Sequence, residues 1–381
     1  MFALRSIVAI VVTAASAFVA VPSGAAVGAS SGAAHSITDA AFTDVACPTA
    51  KDCVAVGYRN GAPMARRWNG RAWHSQTTPH RHGALSSVWC TGKANCLAVG
   101  HRTSGTTTRA LAERWNGHRW QAVAAPDPPN STSTSLESIT CRSARDCVST
   151  GSYSDNGNPR RTLAEAWNGT SWTIVASANP RVRVTGNDLS AVACRPVKCL
   201  AVGTRGRGTV GSRPLAESSA GGSWQVDAMA DPGGTQVDSA LSGTSCSATS
   251  HAVCMAVGNR NSGGATRPLA EKWVGGGWHR SYPLRRTGDH GDQLADVACT
   301  SASRCLAVGS AGTGGTITET WNEHGWTITP SARFANRYNG LESISCASAN
   351  RCLAVGFDEK PDDSVHPLAE QWNGSAWRLV H

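Results

Sequence analysis

The chain has 381 residues, enough for two average domains or one large array of repeats. Its formal net charge is +9 although only 16% of its residues are charged, and arginine greatly outnumbers lysine. This balance favours anionic partners. No stretch beyond the N-terminal apolar run is long enough to cross a membrane as a helix, which excludes a transmembrane helix in the rest of the chain.

Residues 1–29 are predicted to be a signal peptide for export. Arg5 supplies a positive charge, Ile7 to Val21 is apolar, and small residues from Ser23 to Ala29 offer cleavage sites. Residues 30–36 are interpreted as a linker. We therefore expect a secreted, extracellular protein with no transmembrane segment once the signal is removed.

Residues 37–381 consist of seven copies of one unit. Each copy holds two cysteines, and successive copies begin 43 to 53 residues apart, a period in the range of propeller blades. The first cysteines of the copies are Cys47, Cys90, Cys141, Cys194, Cys246, Cys299 and Cys346. The second are Cys53, Cys96, Cys147, Cys199, Cys254, Cys305 and Cys352.

Four short β-rich segments follow one another in each copy, separated by clusters of Gly, Asn, Pro and Ser. The first is Leu-x-x-Val/Ile-x-Cys, as at Leu136 to Cys141, and the second is Cys-x-Ala-Val-Gly, as at Cys96 to Gly100. The third is Leu-Ala-Glu-x-Trp, as at Leu163 to Trp167, and the fourth starts at a second tryptophan. An Asn-Gly pair between the last two favours a tight hairpin. Each unit is thus predicted to be a four-stranded antiparallel meander.

A single meander cannot bury both of its faces, whereas seven arranged radially pack their faces on one another. The sequence therefore predicts an all-β fold, a seven-bladed β-propeller of four-stranded antiparallel blades. An open β-solenoid is the alternative. The first predicted strand is Phe42 to Cys47 and the last is Trp377 to Val380, so ring closure rests on packing unless Ile37 to Ala41 adds a strand to the last blade.

The two cysteines of a copy flank a turn of four to seven residues, so pairing within the copy is the economical assignment. One disulfide per blade suits an exported chain, and each would contribute about 2 kcal/mol by restricting the unfolded chain. A metal site is a poor alternative, because no Cys-x-x-Cys pair occurs and histidines do not recur beside the cysteines. We predict no metal and no cofactor.

Cys-x-Ala-Val-Gly followed by Leu-Ala-Glu-x-Trp-Asn-Gly-x-x-Trp resembles the repeats of secreted actinobacterial β-propeller proteins. The hairpin is also similar in placement to the turn of sialidase-like propellers, and the array loosely resembles kelch repeats. The chain lacks the aspartate of the sialidase turn and the diglycine of kelch strands. The resemblance spans residues 37–381, implies the propeller fold, and carries over no catalytic residue.

Residues that recur in nearly every copy are weak candidates for a single site. We interpret the glutamates of the third strand as polar clamps between blades, which accept hydrogen bonds from backbone or arginine, with a ring of ligand-binding carboxylates as the alternative. The paired tryptophans are interpreted as packing residues, with sugar-stacking platforms as the alternative. The glutamates are Glu113, Glu165, Glu217, Glu271, Glu319 and Glu370.

Departures from the repeat are better candidates. Trp89 stands where other copies have Ala, Thr or Ser, and either lines a pocket or fills a wedge between blades. The long loops, which connect the second to the third strand and one copy to the next, share one end of the ring and are rich in arginine, which suits carboxylate, sulfate or phosphate groups. The alternative is a solvated basic rim. The candidate ligand-binding residues are Trp89, Arg59, His101, Arg102, Arg160, Arg205, Arg207 and Arg260, supported by His80, Arg81, His82, Arg181, Arg183, Arg285, Arg286, Arg333 and Arg337.

We find no nucleophile elbow, zinc-protease motif, phosphate loop or calcium loop in the sequence. The sequence favours a binding module rather than an enzyme, a monomer that recognises an extracellular anionic polymer, glycan or surface protein. A polysaccharide hydrolase or lyase is the alternative, with Asp289, Asp292 and Asp296 as candidate acids. Nucleic acid is not an expected partner, because aromatic residues are not interleaved with the basic ones.

Overall fold

The computed structural model describes nine stretches of the chain, and the predicted signal peptide and linker lie outside them. All regular secondary structure in these stretches is β-strand, in agreement with the predicted all-β class. The described residues are 39–156, 158–180, 186–206, 211–220, 222–229, 237–247, 253–284, 291–332 and 338–381.

The strands follow one another as antiparallel meanders of four. The first twelve are β1 Ala40–Thr49, β2 Asp52–Arg59, β3 Ala62–Trp68, β4 Trp73–Gln76, β5 Ala84–Gly92, β6 Asn95–Ser104, β7 Thr107–Trp115, β8 Trp120–Val123, β9 Ser133–Ser143, β10 Asp146–Ser154, β11 Arg161–Trp167 and β12 Trp172–Val175. The next eight are β13 Asn187–Cys194, β14 Cys199–Gly206, β15 Ser212–Ala220, β16 Ser223–Val226, β17 Asp238–Cys246, β18 Cys254–Ser262, β19 Ala265–Val274 and β20 Gly277–Ser281. The last eight are β21 Gln293–Ser301, β22 Arg304–Ser310, β23 Thr316–Trp321, β24 Trp326–Thr329, β25 Asn339–Ser348, β26 Arg351–Glu359, β27 Val365–Trp372 and β28 Trp377–Leu379.

Hydrogen bonding groups these strands into five four-stranded sheets and one eight-stranded sheet. The eight-stranded sheet consists of the meanders β5–β8 and β9–β12, which are joined by a single parallel pair between Thr108 and Ser133. Within every meander the strands pair in chain order and run antiparallel. The repeated four-stranded antiparallel unit predicted from the sequence is therefore present.

A β-bulge in the first strand explains the glycine that ends each Cys-x-Ala-Val-Gly segment. In the first meander the register slips between Phe42 and Asp44, which leaves the residue between them unpaired on the bulged strand. The bulge brings the carbonyl of Ala41 so close to Gly57 that a Cβ atom there would lie 2.0 Å from its oxygen. The same contact in the second meander would measure 2.1 Å. Only glycine fits opposite the bulge.

Apolar clusters join each meander to the next. Val54 and Val56 of β2, for example, pack against Leu85 and Val88 of β5. Seven such clusters occur among the described residues, and each contains residues of two meanders that follow one another around the array. Burying a Val or Leu side chain contributes about 1.5–3 kcal/mol, so these contacts supply much of the stability that one meander lacks.

The last meander closes onto the first by packing. One of the seven clusters combines Phe42 and Val45 with Val355. The N–H of Cys47 donates to Ser345 Oγ at 3.0 Å, and a parallel pair links Asp39 to a residue at the start of β27. In the described chain β28 stays on its own meander, so no strand is exchanged across the closure.

A disulfide joins the first two strands of each meander, as predicted. The bonds are Cys47–Cys53, Cys90–Cys96, Cys141–Cys147, Cys194–Cys199, Cys246–Cys254, Cys299–Cys305 and Cys346–Cys352. Seven disulfides in one chain indicate an oxidising environment. Within the described stretches no helix is long and apolar enough to span a membrane.

Candidate functional site

A cavity of 750 Å³ lies at the centre of the array, lined by the first strand of every meander. It is lined from the bulge of each first strand onward, and after β25 the lining continues to Ala349 in the turn that follows the strand. Most of its polar lining consists of serine hydroxyls and the carboxyl groups of Asp44, Glu137, Asp296 and Glu342. No lysine, arginine or histidine is among its described lining residues, so the cavity wall is acidic.

Trp89 lines this cavity from β5 with 39% of its surface exposed. The structure thus favours the first of its two predicted placements, on a pocket wall rather than inside a wedge between sheets. The residues at the same position elsewhere are small: Ala46, Thr140, Ala193, Ser245, Ala298 and Ser345. The indole is therefore a single aromatic surface that breaks the symmetry of the cavity. Its contact with a ligand stays a prediction.

In several copies, the residue three places before the first cysteine ties neighbouring meanders together. Asp44 Oδ2 accepts the N–H of Val88 in the next meander at 2.7 Å. Ser87 Oγ accepts the N–H of Ile139 at 3.2 Å in the same way. Because a hydroxyl serves as well as a carboxylate in this contact, the carboxyl group of Asp44 is not required for the link itself.

Asp44, Ser343 and Asp296 form one hydrogen-bonded chain at the ring closure. Ser343 Oγ lies 2.5 Å from Asp44 Oδ1 and 3.0 Å from Asp296 Oδ2. A serine hydroxyl carries one hydrogen and can donate it to only one of two carboxyl groups. Both aspartates accept an N–H group on each carboxyl oxygen, but Asp44 also accepts the hydroxyl of Ser87 at 2.6 Å. The ordered chain therefore runs from a protonated Asp296 to Ser343 and on to an ionised Asp44.

The pKa shifts of the two aspartates agree with a single proton held on Asp296. Burial, and after it the charge of Asp44, raises the pKa of Asp296 to about 7. Burial also raises the pKa of Asp44, against the lowering effect of its hydrogen bonds, of which that from Ser343 is the largest. Sequence reasoning named Asp296 only as a candidate acid and did not single out Asp44. Both stand three places before the first cysteine of their copy, and this shared position was the available signal.

Asp292, another acid proposed from the sequence, does not belong to this group. Asp292 is buried and accepts the N–H of Gly312 at 3.1 Å, which is a structural contact. Asp289 lies outside the described residues. Glu342, which sequence reasoning did not name, lines the cavity beside Ser343, and burial raises its pKa.

Those of the predicted basic residues that the structure describes do not line the cavity. Arg59 and Arg102 are exposed, while His101, Arg160, Arg205 and Arg260 are half-buried. Burial lowers the pKa of His101. Outside the described residues are Arg207, Arg181, Arg183, Arg285, Arg286, Arg333 and Arg337. Of the three supporting residues that are described, His80, Arg81 and His82, the first is 2.8 Å from a carboxyl oxygen of Glu113.

The third-strand glutamates are fully buried and divide into two groups. Glu217 accepts the N–H of Ala178 at 3.2 Å, and Glu370 accepts that of Ala332 at 3.1 Å, both from the preceding meander. These contacts are the predicted polar clamps. Among the described residues, the carboxyl oxygens of Glu165 and Glu271 have no hydrogen-bond partner.

No family model and no curated protein matches this chain. Solved structures do resemble it. An ulvan lyase of polysaccharide lyase family 25, bound to a sugar, gives a TM-score of 0.59 at 10% identity, covering 91% of this chain and 93% of that one. The GH74 xyloglucanase of Xanthomonas campestris gives 0.55 at 12% identity over 90% of this chain and 55% of the enzyme.

YCF48 bound to a D1 peptide gives a TM-score of 0.52 at 11% identity, over 90% of this chain and 94% of that one. At such low identities the likeness concerns the fold alone. The neighbours are β-propellers, and they agree with the repeated four-stranded sheets described above. The chain has the β-propeller fold.

Proposed function

We propose that this protein is an exported binding module, a seven-bladed propeller that holds a carbohydrate in its central cavity. The single observation that carries the proposal is Trp89, a tryptophan with 39% of its surface exposed on the wall of a 750 Å³ cavity. An exposed aromatic face beside convergent polar groups is the usual composition of a small-molecule site.

The chemistry of the cavity wall suits a sugar. Serine hydroxyls and carboxyl groups exchange hydrogen bonds with sugar hydroxyls, while an indole covers the apolar C–H face of a pyranose ring. The four acidic residues and the absence of basic groups among the described lining disfavour an anionic sugar here. We therefore infer a neutral or amino-bearing glycan as the ligand of this cavity.

Two further parts of the proposal have structural support. The seven disulfides fit export to an oxidising compartment, as the expected signal peptide at 1–29 requires. The seven apolar clusters, one of which joins the last meander to the first, support a count of seven blades, with the eight-stranded sheet treated as two blades linked by one residue pair. We expect the protein to be a monomer.

An array of neutral, amino-bearing and anionic glycans, probed with the wild-type protein and with Trp89→Ala, tests the proposal. Alanine occupies the equivalent position in three other copies, so the substitution is compatible with the fold. Tyr282→Ala, which removes an aromatic side chain that is 76% exposed, serves as the matched control. We expect neutral or amino-bearing glycans to bind the wild type and the control but not Trp89→Ala. An array with no hits, or with hits that Trp89→Ala retains, would refute it.

A hydrolase or lyase is the second candidate, because Asp44 and Asp296 form a carboxyl pair on the cavity wall and the pKa of Asp296 is about 7. A carboxyl group that keeps its proton near neutral pH suits general acid catalysis. Product release from a polysaccharide that binds the cavity would support this function. Loss of that release in Asp296→Asn, with binding retained, would assign it to the pair.

A further inference from the structure

Three meanders present two arginines directly opposite each other on adjacent strands. The second and third strands pair Arg102 with Arg109, Arg205 with Arg213, and Arg260 with Arg267. Residues directly opposite in a sheet project from the same face with Cβ atoms about 5 Å apart, and like charges in that position are unfavourable. The three pairs lie at the strand ends remote from the cavity turns.

Two other meanders show how the same position can be neutralised. Tyr153 opposes Arg161, whose guanidinium lies 5.9 Å from the centre of the tyrosine ring. Asp358 opposes His366 in the last meander. Since the repeat tolerates compatible pairs, the arginine pairs are not required by the fold.

The pair of Arg205 and Arg213 is less compensated than the pair of Arg102 and Arg109. Within the described chain neither guanidinium forms an ion pair, and the carboxylate of Asp238 instead accepts the N–H of Ser212 at 2.7 Å. Burial, and after it the charge of Arg213, lowers the pKa of Arg205. By contrast, Arg109 donates to the carbonyl of Ser131 at 2.9 Å.

We propose that the Arg205–Arg213 pair is the centre of a second site, distinct from the cavity, that binds the oxyanion groups of a sulfated polysaccharide. Two adjacent guanidinium groups supply several N–H donors to one tetrahedral oxyanion. The bound anion removes the repulsion between them. Arginine pairs also occupy this position in two other meanders, at Arg102–Arg109 and Arg260–Arg267. A polymer is favoured over an isolated ion because such pairs recur.

The test measures binding of dextran sulfate to the full secreted chain, with uncharged dextran, inorganic sulfate and single-stranded DNA as comparison probes. Arg205→Tyr reproduces the Tyr153–Arg161 pair of another meander and so suits the fold. Arg119→Tyr, at an exposed arginine of the turn between β7 and β8, is a control of equal charge. Arg102→Tyr probes the pair in which Arg109 is already compensated.

We expect Arg205→Tyr to weaken dextran sulfate binding at least tenfold, Arg102→Tyr to weaken it less, and Arg119→Tyr to change it less than twofold. Equal losses of affinity in Arg205→Tyr and Arg119→Tyr would show that only the net charge of the protein matters, and would overturn the proposal. An unchanged affinity in Arg205→Tyr would overturn it as well. Inorganic sulfate that binds as tightly as the polymer, or DNA that binds more tightly, would overturn the assignment to a polysaccharide. Because Trp89 is not involved, none of these results depends on the cavity.

Discussion

Replacing Glu165 by glutamine should make the protein more stable at alkaline pH than the wild type. Glu165 lies in β11, is fully buried, and has no hydrogen-bond partner for either carboxyl oxygen among the described residues. Burial, and after it the charge of Asp127, raises its pKa to about 8. The folded protein therefore holds a proton on Glu165 at pH 7, whereas the unfolded chain, with a pKa near 4.5, has released it.

The sign and size of the effect follow from proton linkage. A carboxyl group whose pKa is raised by folding contributes its full stability below the unfolded pKa, and the contribution is lost as pH rises toward the folded pKa. Each pH unit between the two pKa values lowers the free energy of unfolding by about 1.4 kcal/mol. Between pH 4.5 and pH 8 the free energy of unfolding therefore falls by at most roughly 5 kcal/mol. Glutamine has the same shape and does not titrate, so Glu165→Gln removes this loss.

Guanidinium chloride unfolding at pH 5 and pH 8, at constant ionic strength and with disulfides intact, measures the change. We expect Glu165→Gln to be about 2–4 kcal/mol more stable than the wild type at pH 8, and close to it at pH 5. Glu217→Gln is the comparison variant: burial raises the pKa of Glu217 as well, but its carboxyl group accepts hydrogen bonds from Ser177 and Ala178. At pH 5 the free energy of unfolding of Glu217→Gln should be about 1–2 kcal/mol lower than that of the wild type. A stability difference between Glu165→Gln and the wild type that does not change with pH would refute the reasoning.

Two more predictions concern the ring closure and the bulge. The wild type should lose stability as pH rises from about 4 to about 7, because the raised pKa of Asp296 lies near 7, and Asp296→Asn should make this loss smaller. Carbon NMR of the aspartate carboxyl groups should show one residue that titrates near pH 7 in the wild type and none in the variant. Two aspartates that both titrate near their usual pKa would contradict the shared proton. Gly57→Ala should lower the free energy of unfolding by more than about 2 kcal/mol, because its Cβ would lie 2.0 Å from the carbonyl oxygen of Ala41. In the same thermal unfolding assay Gly92→Ala, whose Cβ would meet nothing within 4 Å, should lower it by less than about 1 kcal/mol. Equal costs for the two glycines would contradict the steric account.

The repeat itself was predictable because its signals are local. The cysteine spacing and the Asn-Gly turns each depend on residues close together in the chain. Asn69 illustrates this, since its side-chain oxygen accepts the N–H groups of Arg71 and Ala72, and Gly70 adopts a φ of 93°. Such features give the strand order of a meander without any knowledge of its neighbours.

The cavity chemistry was not predictable in the same way because its partners are distant in sequence. Asp44 and Ser343 are 299 residues apart, and they meet only when the array closes. The difference between Glu165 and Glu217 likewise depends on the segment that packs over each one, not on the strand that carries it. Trp89 was found because it breaks the repeat, whereas a serine between two aspartates, in separate copies, gives no such signal.

The measurement that tests the central claim most directly is a calorimetric titration of the best glycan from the array into the wild-type protein and into Trp89→Ala. The account predicts that Trp89→Ala weakens the affinity at least tenfold, about 1.4 kcal/mol or more, while its thermal unfolding is unchanged. Equal affinity in the two proteins would place the glycan outside the central cavity and contradict the account.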